Sequence, residues 1–123
     1  MERIVRAIRG ATTVSENTVE AIEDAVTELL DILEDKNNLD TSHIISVTFS
    51  VTKDIDAIFP AAIARRRPNW ESVPLLDVQH MAVKGSLERC IRILLNLNAF
   101  ASDPPVHHIY LRQAKDLRPD LDG

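Results

Sequence analysis

Cys90-Ile91-Arg92-Ile93-Leu94-Leu95-Asn96-Leu97 is apolar enough to be read as either helix or strand, and the choice decides the fold. Ile91, Ile93, Leu95 and Leu97 alternate with Cys90, Arg92, Leu94 and Asn96, a period of two, so 88–97 reads as a strand. Arg92 then lies within an apolar run. An unpaired buried guanidinium costs several kcal/mol, so something anionic must meet it. Its partner is an internal carboxylate, a neighbouring subunit or a bound ligand.

Outward from this strand, Val83-Lys84-Gly85-Ser86 reads as a turn, and 73–79 as a strand near an edge because Pro74 lacks a donor. Before it, Phe59-Pro60-Ala61-Ala62-Ile63-Ala64 reads as a short helix with proline in its first turn. Arg65-Arg66-Arg67 forms its basic end, and Pro68 stops it. Residues 44–51 read as a strand, with Ile45, Val47, Phe49 and Val51 on one face and Ser46, Thr48 and Ser50 on the other. The small polar face suits a semi-polar setting such as a subunit interface. Val19, Ile22, Val26, Leu29, Leu30 and Leu33 follow helical spacing behind a capping box at Asn17-Thr18-Val19-Glu20. Residues 3–9 read as a strand broken by Gly10-Ala11-Thr12-Thr13. Asn98 to Pro105 reads as a loop, 106–112 as a last strand and Leu117 to Leu121 as an irregular tail. The order predicts one α+β domain, 1–123, with one long helix on a sheet. One helix covers one sheet face, so the other face predicts a homo-oligomer.

The 123 residues are 45% apolar and 4% aromatic, enough for an aliphatic core. A net charge of −5 argues against nucleic acid or an anionic membrane as partner. No 18-residue apolar run spans a bilayer. A single cysteine, with no signal-like apolar segment after Met1-Glu2-Arg3, predicts a reducing cytoplasm.

The residues for common chemistries are missing. Three glycines make no phosphate loop, and no zinc spacing occurs. His107 and His108 are adjacent, so on a strand they face opposite ways. Cys90 reads as a small core residue rather than a nucleophile. Asp77 and His80 are close enough to pair, yet no serine or cysteine completes a triad. Arginine remains: ten arginines stand against four lysines. Arg9 ends the first strand, Arg92 lies mid-strand, Arg65 follows Phe59 on the short helix, and Arg118 is in the tail. Several arginines with few acids or bases point to a small polyanion. The alternative is that each pairs with an Asp or Glu.

Six segments in register resemble the monofunctional, Bacillus-type AroH class of chorismate mutases. They are Ile8-Arg9-Gly10-Ala11-Thr12-Thr13-Val14, Ala57-Ile58-Phe59-Pro60-Ala61, Val73-Pro74-Leu75, Cys90-Ile91-Arg92, His108-Ile109-Tyr110-Leu111 and Leu117-Arg118-Pro119-Asp120-Leu121. The resemblance runs nearly gap-free over residues 3–121. It implies a ferredoxin-like, chorismate-mutase-II-type sheet with one long helix, assembled as a trimeric pseudo α/β-barrel with sites between subunits. It implies the rearrangement of chorismate to prephenate, toward phenylalanine and tyrosine, without cofactor or metal. By resemblance, Arg92 donates to the breaking ether oxygen and Arg9 clamps a carboxylate. Tyr110 assists binding. Phe59, Ala61 and Arg65 come from the neighbouring subunit, while Leu75, Leu76, Asp77 and His80 complete the substrate's surroundings. Leu117 and Arg118 close over it. The family commonly has glutamate where His80 stands, cysteine in well-known members at Asp77, and lysine in some at Ala62. Asp77 or His80 is expected to accept the ring hydroxyl in that glutamate's place, with the imidazole donating to Asp77. Two other classes stay open: a trimeric Rid-type small-molecule deaminase and a non-catalytic chorismate- or prephenate-binding trimer.

Overall fold

The computed structural model describes residues 2–117. In chain order the elements are β1 (Arg3–Thr13), α1 (Val19–Lys36), β2 (Ile44–Val51), α2 (Pro60–Arg65), β3 (Leu75–Gln79), β4 (Cys90–Phe100) and β5 (Ile109–Tyr110). Short 3-10 turns at Thr41–His43 and Arg112–Leu117 complete them. The strands form one mixed sheet in the order β3-β2-β4-β1-β5. β4 lies antiparallel between β1 and β2, while β3 joins β2 and β5 joins β1 in parallel. Because β4 separates β1 from β2, the β1-α1-β2 unit is the split element of ferredoxin-like sheets. The two parallel edge strands depart from that pattern.

The period of two in β4 has its expected effect. Ile91, Ile93 and Leu95 are buried beneath α1, and Arg92 and Leu94 face away. α1 sets Ile22, Val26, Leu29, Leu30 and Leu33 against Ile8, Val47 and Phe49 in the same core. At about 25 cal/mol per Å² of apolar area, each such side chain contributes roughly 1.5–3 kcal/mol. Trp70, wholly buried, donates to Glu34 Oε1 of α1 at 2.6 Å and packs under Arg67, which itself pairs with Glu34. This group ties the exit of α2 to the long helix.

Four expectations are corrected. Gly10 does not break β1, which runs on to Thr13. The glycine answers to crowding: a Cβ there would lie 2.9 Å from both Ile109 O and Ile93 Cγ2. The α1 cap is Thr18, whose side chain accepts from the Ala21 amide at 3.1 Å. Asn17 instead accepts from the Asp56 and Ala57 amides, so the cap lies one residue later than the capping-box spacing. In β2 an irregularity between Ile44 and Ser46 turns Ile44 inward and leaves Ile45 44% exposed. Finally, β4 takes in Asn98 to Phe100, whereas the last strand shrinks to Ile109–Tyr110. Just before it, the imidazole of His108 takes the Arg9 amide at 2.9 Å. A side chain thus occupies the place a main-chain carbonyl would fill, and strand pairing begins one residue later.

Candidate active site

The face of the sheet opposite α1 carries the polar residues. Ladder register sets Ser50, Arg92 and Ala11 side by side across β2, β4 and β1, with Tyr110 of β5 next to Ala11. The neighbouring row holds Thr48, Leu94 and Arg9. The sheet curves around them into a concavity of about 490 Å³, with Leu117 at its rim. Tyr110 is buried with Ala11 and Ala114, and half-buried Leu117 packs against them, so the Arg112–Leu117 turn packs directly on the β1 end of this face. Arg112 holds the turn there by donating to Thr13 O at 3.1 Å and to Glu28 of α1 at 3.2 Å.

Arg92 is exposed in the single chain, which corrects the expectation of a buried guanidinium. Alternation alone puts it on the uncovered face, so folding one chain carries no penalty for burying it. Four arginines of the helix side and the loops behave differently. Arg66 pairs with Glu23, Arg67 with Asp31 and Glu34, Arg89 with Glu88, and Arg112 with Glu28. Among the described residues no carboxylate lies within ion-pair distance of Arg9 or Arg92. These two cations are held on one concave surface without an internal counter-ion.

The segment leading into Arg92 is firmly fixed. Both Asp54 carboxylate oxygens accept from the Arg89 amide, at 3.1 and 3.0 Å, and the Thr52 hydroxyl donates to Asp54. Thr52 Oγ1 also accepts from the Cys90 amide at 2.9 Å. Burial works against ionisation of Asp54, but the Thr52 hydroxyl and the Arg89 amide outweigh it and hold its pKa below the ordinary value. Arg89, with φ of 45°, donates from Nε to Val14 O at 3.0 Å. This cluster joins the end of β2 to the start of β4 and the exit of β1, two residues from Arg92. Nothing in the residue pattern announced it.

Asp77 and His80 do not pair. Asp77 lies opposite Phe49 on the α1 side of the sheet, and its Oδ1 accepts from the Ala61 amide at 3.1 Å. It thereby caps α2, whose own N-cap, Phe59, supplies no side-chain bond. Burial raises the Asp77 pKa against the opposing pull of that amide and of Arg65. His80 lies on the other face, with Nδ1 2.8 Å from Ser50 Oγ. Burial first, and then the Arg92 charge, lower its pKa, with Ser50 and Asp54 opposing. The imidazole is therefore neutral at ordinary pH. Burial likewise raises the Cys90 pKa despite the adjacent Arg92, which leaves a thiol rather than a nucleophilic thiolate.

The single chain divides the expected site residues into two groups. Arg9, Arg92, Tyr110 and Leu117 line the concavity, and His80 joins it through Ser50. Leu76, exposed, lies on the same face beside Thr48. Phe59, 69% exposed, stands at the N-terminal end of α2, and Arg65, also exposed, at its C-terminal end. Ala61 and Leu75 pack into the core and Asp77 beneath α2, so none of the three reaches the concave face of its own chain. Arg118 lies outside the described residues. Thr48, Ser50 and Leu94 belong to the site and were not singled out as such. The signal was present in the polar face of β2, which had been assigned to an interface. Among the described residues no three His, Cys, Asp or Glu side chains converge as metal ligands. No helix there is long and apolar enough to cross a membrane.

Comparison with known proteins identifies the family and supports the fold. Residues 5–121 match the family model described as chorismate mutase type I. The chain is 43% identical over 121 residues to a chorismate mutase AroH of Thermus thermophilus, covering 98% of each. It is 35% identical over 118 residues to chorismate mutase AroH of Bacillus subtilis, covering 96% of this chain and 93% of that one. Among solved structures, a chorismate mutase from Clostridium thermocellum superposes with a TM-score of 0.81 at 42% identity, over 90% of this chain and 98% of the other. The matching model corrects the type II label given above to the sheet, and it leaves no support for a Rid-type deaminase. A family-model match spanning almost the whole sequence, with relatives at 35% and 43% identity over nearly its full length, shows that the chain belongs to the type I chorismate mutase family.

Proposed function

We propose that this chain, as a single domain, converts chorismate to prephenate in the branch to phenylalanine and tyrosine, working in the cytoplasm as a homotrimer. The observation that carries the reading is the pair Arg9 and Arg92, both on one concave face and both without a carboxylate partner among the described residues. A substrate with two carboxylates and a breaking ether bond suits two free guanidinium groups. As the ether C–O bond breaks and the new C–C bond forms, negative charge grows on the ether oxygen. Arg92 donates to that oxygen, and because its strand is anchored through Cys90, Thr52 and Asp54, little reorganisation is needed as the charge appears. Arg9 binds a carboxylate as a fork, Tyr110 adds its hydroxyl, and His80 accepts from the ring hydroxyl. Holding the enolpyruvyl arm over the ring supplies the near-attack geometry. No nucleophile or proton transfer is required, so the protonated state of Cys90 is no obstacle.

Assembly completes the site. The concave face is open in one chain and carries exposed Leu76, Val78 and Leu94. Phe59 and Arg65, exposed at the two ends of α2, reach a neighbouring subunit's concavity, and the three sheets close as a pseudo α/β-barrel. Ala61 and Leu75 support Phe59 and Leu76 from behind. Leu117 and Arg118 close over the ligand. The test is loss of chorismate absorbance with formation of prephenate. A second reading, a chorismate-binding trimer without turnover, is favoured by one observation: a neutral His80 stands where the family commonly has glutamate. Binding without turnover would establish that reading, and absence of both binding and turnover would refute the two together.

A further inference from the structure

Phe59 is 69% exposed, yet the main chain that carries it is held on both sides. It closes an irregular stretch, 52–59, that leaves β2 and enters α2. A stretch without ladder or helix must find partners for its amides one by one. Asn17 supplies two of them. Its Oδ1 accepts from the Asp56 amide at 3.1 Å and from the Ala57 amide at 3.2 Å, and its Nδ2 donates to Asp56 Oδ1 at 2.6 Å. Main-chain N–H groups only donate and a carboxylate only accepts, so these contacts admit one orientation of the side-chain amide. On the far side of Phe59, the Ala61 amide meets Asp77 Oδ1 at 3.1 Å and the Ala62 amide donates to Phe59 O at 3.0 Å. Ile55 and Ile58 press the same stretch onto the core.

Asn17 is itself well placed. It lies between Val14, whose amide donates to Arg89 O at 2.9 Å, and Thr18, the cap of α1. The Phe59 segment is thereby tied to the turn that joins β1 to α1. Asn17 is exposed and lies outside the core, so what its bonds fix is the local course of a loop. An aromatic ring on an ordered main chain has less freedom to lose when it meets a ligand.

We infer that Asn17 is a positioning residue that presets Phe59 for a neighbouring subunit's site, so that truncating it weakens substrate binding in the neighbour's site and not in its own. The inference rests on the interfacial placement of Phe59 proposed above.

The test is kinetic and uses the assembled protein. Phe59→Ala should raise KM for chorismate. Asn17→Ala should raise it by about threefold to tenfold, the worth of roughly one hydrogen bond, with kcat changed less. In Phe59→Ala, adding Asn17→Ala should cost little further. Asn17→Asp sets a second carboxylate against Asp56 and should also raise KM. Adding Asp56→Asn restores a donor facing an acceptor and should return KM to the wild-type value. Finally, Asn17→Ala chains should be assembled with a large excess of Arg92→Ala chains, which lack turnover of their own. The working Arg92 then meets a Phe59 whose Asn17 is intact, and KM should again be that of the wild type. A KM that stays raised in these mixed assemblies would overturn the inference, as would a full Asn17→Ala loss in the Phe59→Ala background or a wild-type KM in Asn17→Ala. A wild-type KM in Phe59→Ala would instead refute the interfacial placement of Phe59, and the inference with it.

Discussion

Replacing Gly10 with alanine should destabilise the protein and disturb its site together. Two effects oppose each other. Alanine restricts the unfolded chain, which stabilises by about 0.4–1 kcal/mol where the new side chain fits. Here it does not fit: its Cβ would lie 2.9 Å from Ile109 O, 2.9 Å from Ile93 Cγ2 and 3.4 Å from Leu29 Cδ1. Optimal carbon contacts are about 3.5–4.0 Å, so several tenths of an ångström must be found on two sides. Leu29 and Ile93 can turn slightly, but Ile109 O is main chain and has no rotamer to change. Overpacking of this kind costs about 1–3 kcal/mol, so the net is a loss of about 1–2 kcal/mol. The movement falls on β5, which is two residues long and carries Tyr110. KM for chorismate should therefore rise severalfold while kcat changes less. Urea unfolding at fixed protein concentration measures the first effect, with an unchanged m-value showing that stability itself moved. A Gly10→Ala variant as stable as the wild type would refute the crowding account.

Three further outcomes are expected. Arg92→Lys keeps the charge and loses the planar fork, and kcat should fall by about 10²-fold or more, as for loss of one preset donor; wild-type kcat would remove Arg92 from the role assigned to it. Because the His80 pKa is lowered from 6.5, kcat/KM should stay level from pH 8 down to about 6.5 and fall only below it, and the acid limb should vanish in His80→Gln. The raised Asp77 pKa means that its contribution to stability is fully present below 3.8 and is lost as pH rises through the folded value. Asp77→Asn, which keeps an oxygen for the Ala61 amide, should then be more stable than the wild type near pH 7, with the difference closing in acid; a variant less stable at every pH would contradict this.

Periodicity was legible because it reports directly on which atoms meet water. The α1 stripe, the alternation of β2 and β4 and the proline at the head of α2 all translate into burial without knowledge of partners. Gly10 and His108 were misread for the opposite reason. A glycine before Ala11-Thr12-Thr13 looks like a break until a neighbouring strand is known to press on it, and a histidine looks like a strand residue until its ring is seen to take the Arg9 amide. The Asp77–His80 pairing failed on the geometry of strands. Three residues apart, the two side chains leave opposite faces, one to cap α2 and the other to meet Ser50.

Composition and pattern by themselves established an α+β chain with one long helix, a sheet face left uncovered and a surplus of arginine over the acids and bases of ordinary catalysis. They did not separate the arginines that pair at home from those that wait for a ligand. That distinction depends on which carboxylates lie within a few ångströms, and distance between residues far apart in the chain is a property of the folded sheet. Arg66, Arg67, Arg89 and Arg112 found acids on loops and helices. Arg9 and Arg92 were set by strand register on a face where the described residues offer none, and the same register brought Ser50 beside Arg92 and within reach of His80.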